Sequence, residues 1–257
     1  MNVEMVRLFR KKIENGIVSG PFSKTCDPAF IEVMGYSGCD FVIIDLEHGP
    51  NHIENIQNLI RAAEISGVFP IVRIKENMLN MAGEALDIGA LGIQVPQIEN
   101  RKQAEAVIQH AKFAPLGQRG VCRYVRAAKY SHMDKFDYFN CANETVIVIQ
   151  LEGKEALNNL EEILNVKDID IVFIGPYDLS QSLGVPGQVN NPVVEAEIKK
   201  IVALCKMKHK LVGIFIDSTE DAPKWKKAGV RYISYSVDLG ILREALTAKM
   251  KHIKNDL

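Results

Sequence analysis

FVIIDLEHGPNHIENIQNLIRAAEISGVFPIVRI, residues 41–74, contains the unit that decides the fold. Phe41 to Asp45 is a short run of branched and aromatic side chains ending on an acid, as in a strand buried on both faces. Gly49 and Pro50 then break the chain. Between His52 and Ser66 apolar residues return every three or four positions, which predicts an amphipathic helix over 52–66. Pro70 to Ile74, PIVRI, is a second short apolar run. Strand, helix and strand at this spacing make a βαβ crossover between parallel strands.

The same unit repeats in both directions. Strands are predicted at 18–22, 41–45, 70–74, 91–95, 145–150, 171–175, 211–216 and 232–236. Helices are predicted at 27–37, 52–66, 77–88, 100–112, 154–165, 193–208, 218–228 and 238–253, and the N-terminus also reads as an amphipathic helix. Strand-then-helix repeated eight times predicts one closed parallel barrel, a (β/α)₈ domain over residues 1–257. A doubly wound open sheet would carry a glycine-rich phosphate loop after its first strand, whereas that place reads GPFSKTCDP. Two connections, 114–143 and 181–191, are long enough to suggest function.

Composition excludes several classes. The formal net charge is −1, with no basic tract, which speaks against nucleic acid or an anionic membrane as partner. No run has the length of a membrane span or the apolar core of a signal peptide. Five cysteines, none in a C-x-x-C pair, fit a reducing, cytoplasmic setting better than a disulfide framework.

In such barrels chemistry sits where the strands end. Those ends carry Asp45, Glu47 and His48; Arg73; Gln94; Gln150 and Glu152; Gly175, Tyr177 and Asp178; Asp217; and Ser236 and Asp238. Glu152 and Asp178 follow adjacent strands and together suit a hard cation that keeps open positions; singly, each would read as a helix-start acid. His48 lies three residues after Asp45, so a carboxylate could orient its imidazole as a base, although a lone histidine more often makes a structural hydrogen bond. Arg73 in an apolar strand needs a partner: a bound anion, a developing enolate, or an acid such as Asp87. Gly175 and its followers open a short helix whose free amides could hold a carboxylate. Lys75 could form a Schiff base, but a solvated lysine is the simpler reading.

The strings DLEHGPN, IVRI, QVPQIEN, IQLEG and FIGPYDLS, in this order, resemble the HpcH/HpaI aldolase family over roughly residues 5–250. The resemblance implies a barrel of the phosphoenolpyruvate/pyruvate superfamily and a homohexamer in which the C-terminal helix is exchanged between subunits. It implies a metal-dependent class II aldolase that reversibly cleaves a 4-hydroxy-2-oxo acid to pyruvate and an aldehyde. A divalent cation (Mg²⁺, Mn²⁺ or Co²⁺) would be held by Glu152 and Asp178, with no organic cofactor. Arg73 would steady the enolate, Asp45 and His48 would form the acid/base dyad, and Gln150 with the amides of Gly175 and Tyr177 would contact pyruvate, supported by Asp87. Two features depart from the family pattern. Tyr177 stands where the family often has alanine, and the loop GQRGVCRYVRAAKYS carries larger side chains, which leaves the aldehyde open. The rival readings are a CoA-ester lyase of the citrate lyase β type and a catalytically silent keto-acid-binding barrel.

Overall fold

Eight parallel strands close on themselves in chain order: β1 (Val18–Ser23), β2 (Phe41–Asp45), β3 (Phe69–Arg73), β4 (Gly92–Val95), β5 (Val146–Leu151), β6 (Ile171–Ile174), β7 (Leu211–Ile216) and β8 (Tyr232–Val237). The computed structural model describes residues 1–255. β8 returns to pair with β1, with a bulge between Gly20 and Phe22. At Gly20 the strands come so close that a Cβ would lie 1.8 Å from the Phe41 carbonyl oxygen, so no larger residue fits.

The period-two alternation of each strand sorts its side chains between two cores. One set, including Ile43, Ile71, Val148 and Phe173, fills the barrel interior. The other, including Val42, Ile44, Val72, Ile149 and Val172, packs against the surrounding helices. The N-terminal helix α1 (Val3–Asn15) buries Val6, Phe9 and Ile13 in the interior set, and Phe9 stacks on Phe69 at 4.1 Å between ring centres. The barrel is therefore plugged at the end where its strands begin, and a site has to be built at the other end.

The helices that follow are α2 (Pro28–Tyr36), α3 (Ile53–Ser66), α4 (Asn80–Asp87), α5 (Arg101–Ala111), α6 (Lys135–Ala142), α7 (Lys154–Asn158), α8 (Leu160–Leu164), α9 (Pro176–Ser182), α10 (Pro192–Met207), α11 (Ala222–Ala228) and α12 (Asp238–Asn255), with three departures from the sequence reading. The helix expected over 154–165 is broken at Asn159, whose amide donates to the Glu99 carbonyl. The helix expected over 218–228 begins as a 3₁₀ turn, Thr219–Asp221. The long connection 114–143 carries a 3₁₀ segment, Arg126–Ser131, and α6, which with Phe113 form a satellite cluster around buried Tyr138. α12 projects from the barrel with Leu239, Leu242, Leu246, Met250 and Ile253 exposed. Among the described residues no helix is long and apolar enough to cross a membrane.

Candidate active site

Asp45, the last residue of β2, sits opposite Arg73, the last residue of β3. Both continue the inward-facing row of their strands, so register alone brings the charges together. Asp45 is fully buried, and the guanidinium grips it in a fork: Nε donates to Oδ1 at 2.9 Å and Nη2 to Oδ2 at 2.6 Å. The backbone N–H groups of Glu47 and His48 also donate to Oδ1. Burial pushes this carboxyl up, but the Arg73 hydrogen bonds and charge, with the two backbone donors, hold it below the usual carboxylate value. Arg73 Nη1 lies 3.0 Å from Glu47 Oε2, and its guanidinium lies 4.6 Å over the Phe22 ring. Lys24 adds a second cation 3.7 Å from Asp45. Its loop is pinned by Asp238, which accepts from Ser23 Oγ, from the backbone amides of Lys24 and Thr25 and from Thr25 Oγ1.

Arg73 therefore answers to Asp45 and Glu47, not to Asp87. Asp87 ends α4, outside the barrel wall, and pairs with Arg119 at 2.5 Å. The expected dyad is also rearranged. Asp45 meets the backbone N–H of His48, while the imidazole, with 64% of the side chain exposed, has Glu47 as its nearest carboxylate at 3.9 Å. Partial burial, then the charge of Arg73, lowers the His48 pKa, which favours the neutral imidazole a base requires.

Glu152 follows β5 and is 4% exposed. Its Oε1 accepts from the Gln97 backbone amide at 3.1 Å and its Oε2 from Gln150 Nε2 at 3.0 Å. A Cβ at position 175 would lie 2.5 Å from Oε2, so the carboxylate has room only because residue 175 is glycine. Burial first, then repulsion from Asp178, pushes the Glu152 carboxyl up to about 7. Asp178 is exposed in the first turn of α9. A buried acid facing a second acid, with no basic side chain bonded to it, is the arrangement a cation relieves. Among the described residues no group of three or more His, Cys, Asp or Glu side chains could hold a metal. Glu152 and Asp178 are two carboxylates, a donor type that would suit a hard divalent ion.

Tyr177 turns away from Glu152: its hydroxyl donates to Asp217 beyond β7, and its ring meets Phe215 edge-on. The bond to Asp217, then burial, pushes this hydroxyl up to about 12. Sequence reading missed Lys24 and Phe22; their only signal is a place on or beside an inward row, which many inert residues share. A cavity of about 710 Å³ lined by Met1, Glu64, Arg126 and Tyr130 touches none of these groups.

Glu47 gives a pH signature. Burial pushes its carboxyl from the ordinary 4.5 up to about 7. Arg73 opposes this from 3.0 Å but is already shared with Asp45, so desolvation prevails. A folded-state pKa above the unfolded one means stability is lost as pH rises from about 4.5 through about 7. In cation-free protein, Glu47→Gln is expected to flatten the decline of melting temperature across that window; parallel curves for the two proteins would refute the assignment.

Comparison with known proteins agrees with this geometry. Residues 19–245 match the model of the HpcH/HpaI aldolase/citrate lyase family. The chain is 32% identical to a 2-keto-3-deoxy-L-rhamnonate aldolase of Salmonella gallinarum, over 99% of this chain and 96% of that protein. A solved HpcH/HpaI aldolase/citrate lyase family protein from Burkholderia cenocepacia superposes with a TM-score of 0.91 at 27% identity, covering 98% of this chain and all of that one. The crystal structure of the citrate synthase SbnG gives 0.87 at 30% identity, covering 97% and 98%. The chain belongs to the HpcH/HpaI aldolase/citrate lyase family and is a carbon–carbon lyase, a class II aldolase.

Proposed function

We propose that this protein reversibly cleaves a 4-hydroxy-2-oxo acid to pyruvate and an aldehyde. The observation that carries this reading is the pairing, on one barrel rim, of a buried arginine locked by Asp45 with the two-carboxylate set Glu152 and Asp178. The 2-keto-3-deoxy-L-rhamnonate aldolases at 32% identity support it. Glu152 and Asp178 would hold a divalent cation (Mg²⁺, Mn²⁺ or Co²⁺), which would supply Lewis-acid chemistry to the substrate. Gln150, with one amide hydrogen on Glu152, has a second for pyruvate, and the amides at Gly175 and Tyr177 receive its carboxylate. Arg73 places a fixed positive charge where the enolate oxygen develops. His48 takes the proton from the 4-hydroxyl as the C3–C4 bond breaks, and Asp45 acts by holding Arg73 and the His48 backbone.

The whole chain, 1–257, acts as one barrel domain. The exposed apolar row on α12 supports exchange of that helix between subunits of a homohexamer. Five free cysteines support a cytoplasmic location.

A steady-state assay with pyruvate and a panel of aldehydes, with and without Mn²⁺, tests the activity; oxaloacetate joins the panel because of the citrate synthase likeness. Loss of condensation with every acceptor would sink the reading. His48→Ala is expected to retain pyruvate-methyl proton exchange and cation binding while cleavage falls about 10²–10⁴-fold. With most of its side chain exposed, its removal is expected to leave the melting temperature nearly unchanged. Unchanged cleavage per folded molecule would remove His48 from the mechanism.

A further inference from the structure

Gln94 has no place in the chemistry above, yet it is a fully buried amide on β4, in register with Arg73 of β3 on one side and Val148 of β5 on the other. Its Nε2 donates to Gln150 Oε1 at 2.6 Å, and Gln150 Nε2 donates to Glu152 Oε2 at 3.0 Å. Its own Oε1 is buried without a hydrogen-bond partner. The three nitrogens of Arg73 are committed on the β2 side, to Asp45 and Glu47, and none meets that oxygen.

We infer that Gln94 is a positioning residue: it fixes the amide orientation of Gln150 and, through it, the set of the Glu152 carboxylate. The inference rests on the proposed cation and pyruvate roles of Glu152 and Gln150. An amide has a donor end and an acceptor end. Glu152 takes the donor end of Gln150, which turns the Gln150 oxygen toward β4. Gln94 Nε2 satisfies that oxygen, and the cost falls on Gln94, whose own oxygen is stranded. An apolar residue of this volume would remove the stranded Gln94 oxygen but leave the buried Gln150 oxygen without its donor, one unpaired acceptor for another, so stability alone does not account for the amide. The relay does. If Gln150 rotated by half a turn, its oxygen would face the Glu152 carboxylate, acceptor against acceptor, and its Nε2 would face the Gln94 Nε2, donor against donor. With Gln150 held, each Glu152 oxygen receives one donor, Gln97 N or Gln150 Nε2, and keeps a lone pair.

The test is Mn²⁺ binding by titration calorimetry on purified wild type, Gln94→Leu, Gln150→Leu and the double variant, with melting temperatures alongside. Gln94→Leu is expected to weaken Mn²⁺ binding about 10–100-fold, as loss of an outer partner of a ligand does, with little change in melting temperature, because one unpaired acceptor replaces another. In the Gln150→Leu background the same substitution is expected to add nothing, because its route is gone. Gln94→Met repeats the measurement if the leucine variant folds poorly. Equal Mn²⁺ affinity in Gln94→Leu and wild type overturns the relay alone, as do fully additive losses in the double variant. Failure of the wild-type protein to bind Mn²⁺ overturns the cation reading and the relay with it.

Discussion

Removal of divalent cations is expected to abolish turnover, and Mg²⁺, Mn²⁺ or Co²⁺ to restore it. Glu152 is buried, faces Asp178 and has no basic side chain bonded to it; burial first, then repulsion from Asp178, raises its pKa to about 7, a cost that a cation would relieve. A cation bound at 100 times its dissociation constant would add about 2.7 kcal/mol to folding. The melting temperature is therefore expected to fall by several degrees on chelation, at roughly 2–4 °C per kcal/mol for a chain of this size. Glu152→Gln is expected to lose both the activity and the shift. Full activity in EDTA, with borohydride trapping pyruvate on Lys75, would replace this chemistry with a Schiff base.

Arg73→Ala is expected to lose about 10²–10³ in kcat, the usual cost of a charge aimed at a developing oxyanion. The sequence by itself suggests a rate effect far larger than any effect on folding. The structure adds a folding cost, because Asp45 is fully buried and the fork from Arg73 is its main compensation. Removing one partner of a buried pair costs roughly 3–5 kcal/mol. The two effects separate in Arg73→Ala/Asp45→Asn, expected to recover much of the melting temperature but none of the rate. Arg73→Lys keeps the charge and loses the fork, so it is expected to recover the rate only in part. An Arg73→Ala protein with normal turnover per folded molecule would make the arginine structural.

Several site positions are legible in the sequence alone. FVIID, PIVRI and TVIVIQLE end on Asp45, Arg73, Gln150 and Glu152, which placed them on the rim; that they continue the inward rows is seen only in the barrel. Partners were less legible. Asp87 was a reasonable acid for Arg73, but it sits on α4 and binds Arg119. His48, three residues from Asp45, suggested a carboxylate–imidazole contact; the turn instead presents its backbone N–H to Asp45 and leaves the ring near Glu47. The helix predicted over 154–165 broke where Asn159 found the Glu99 carbonyl, a contact no local pattern encodes.

The sequence by itself determined the barrel and the rim on which the chemistry stands, because short apolar runs and helix periodicity are local properties of the chain. Only the tertiary structure decided which charges meet. Register between β2 and β3 gave Arg73 to Asp45, and adjacency of β4 and β5 set Gln94 against Gln150, 56 residues away. The raised acids at Glu47 and Glu152 belong to the same category, since desolvation and Coulomb repulsion depend on burial and on distance in space, which barrel closure alone sets.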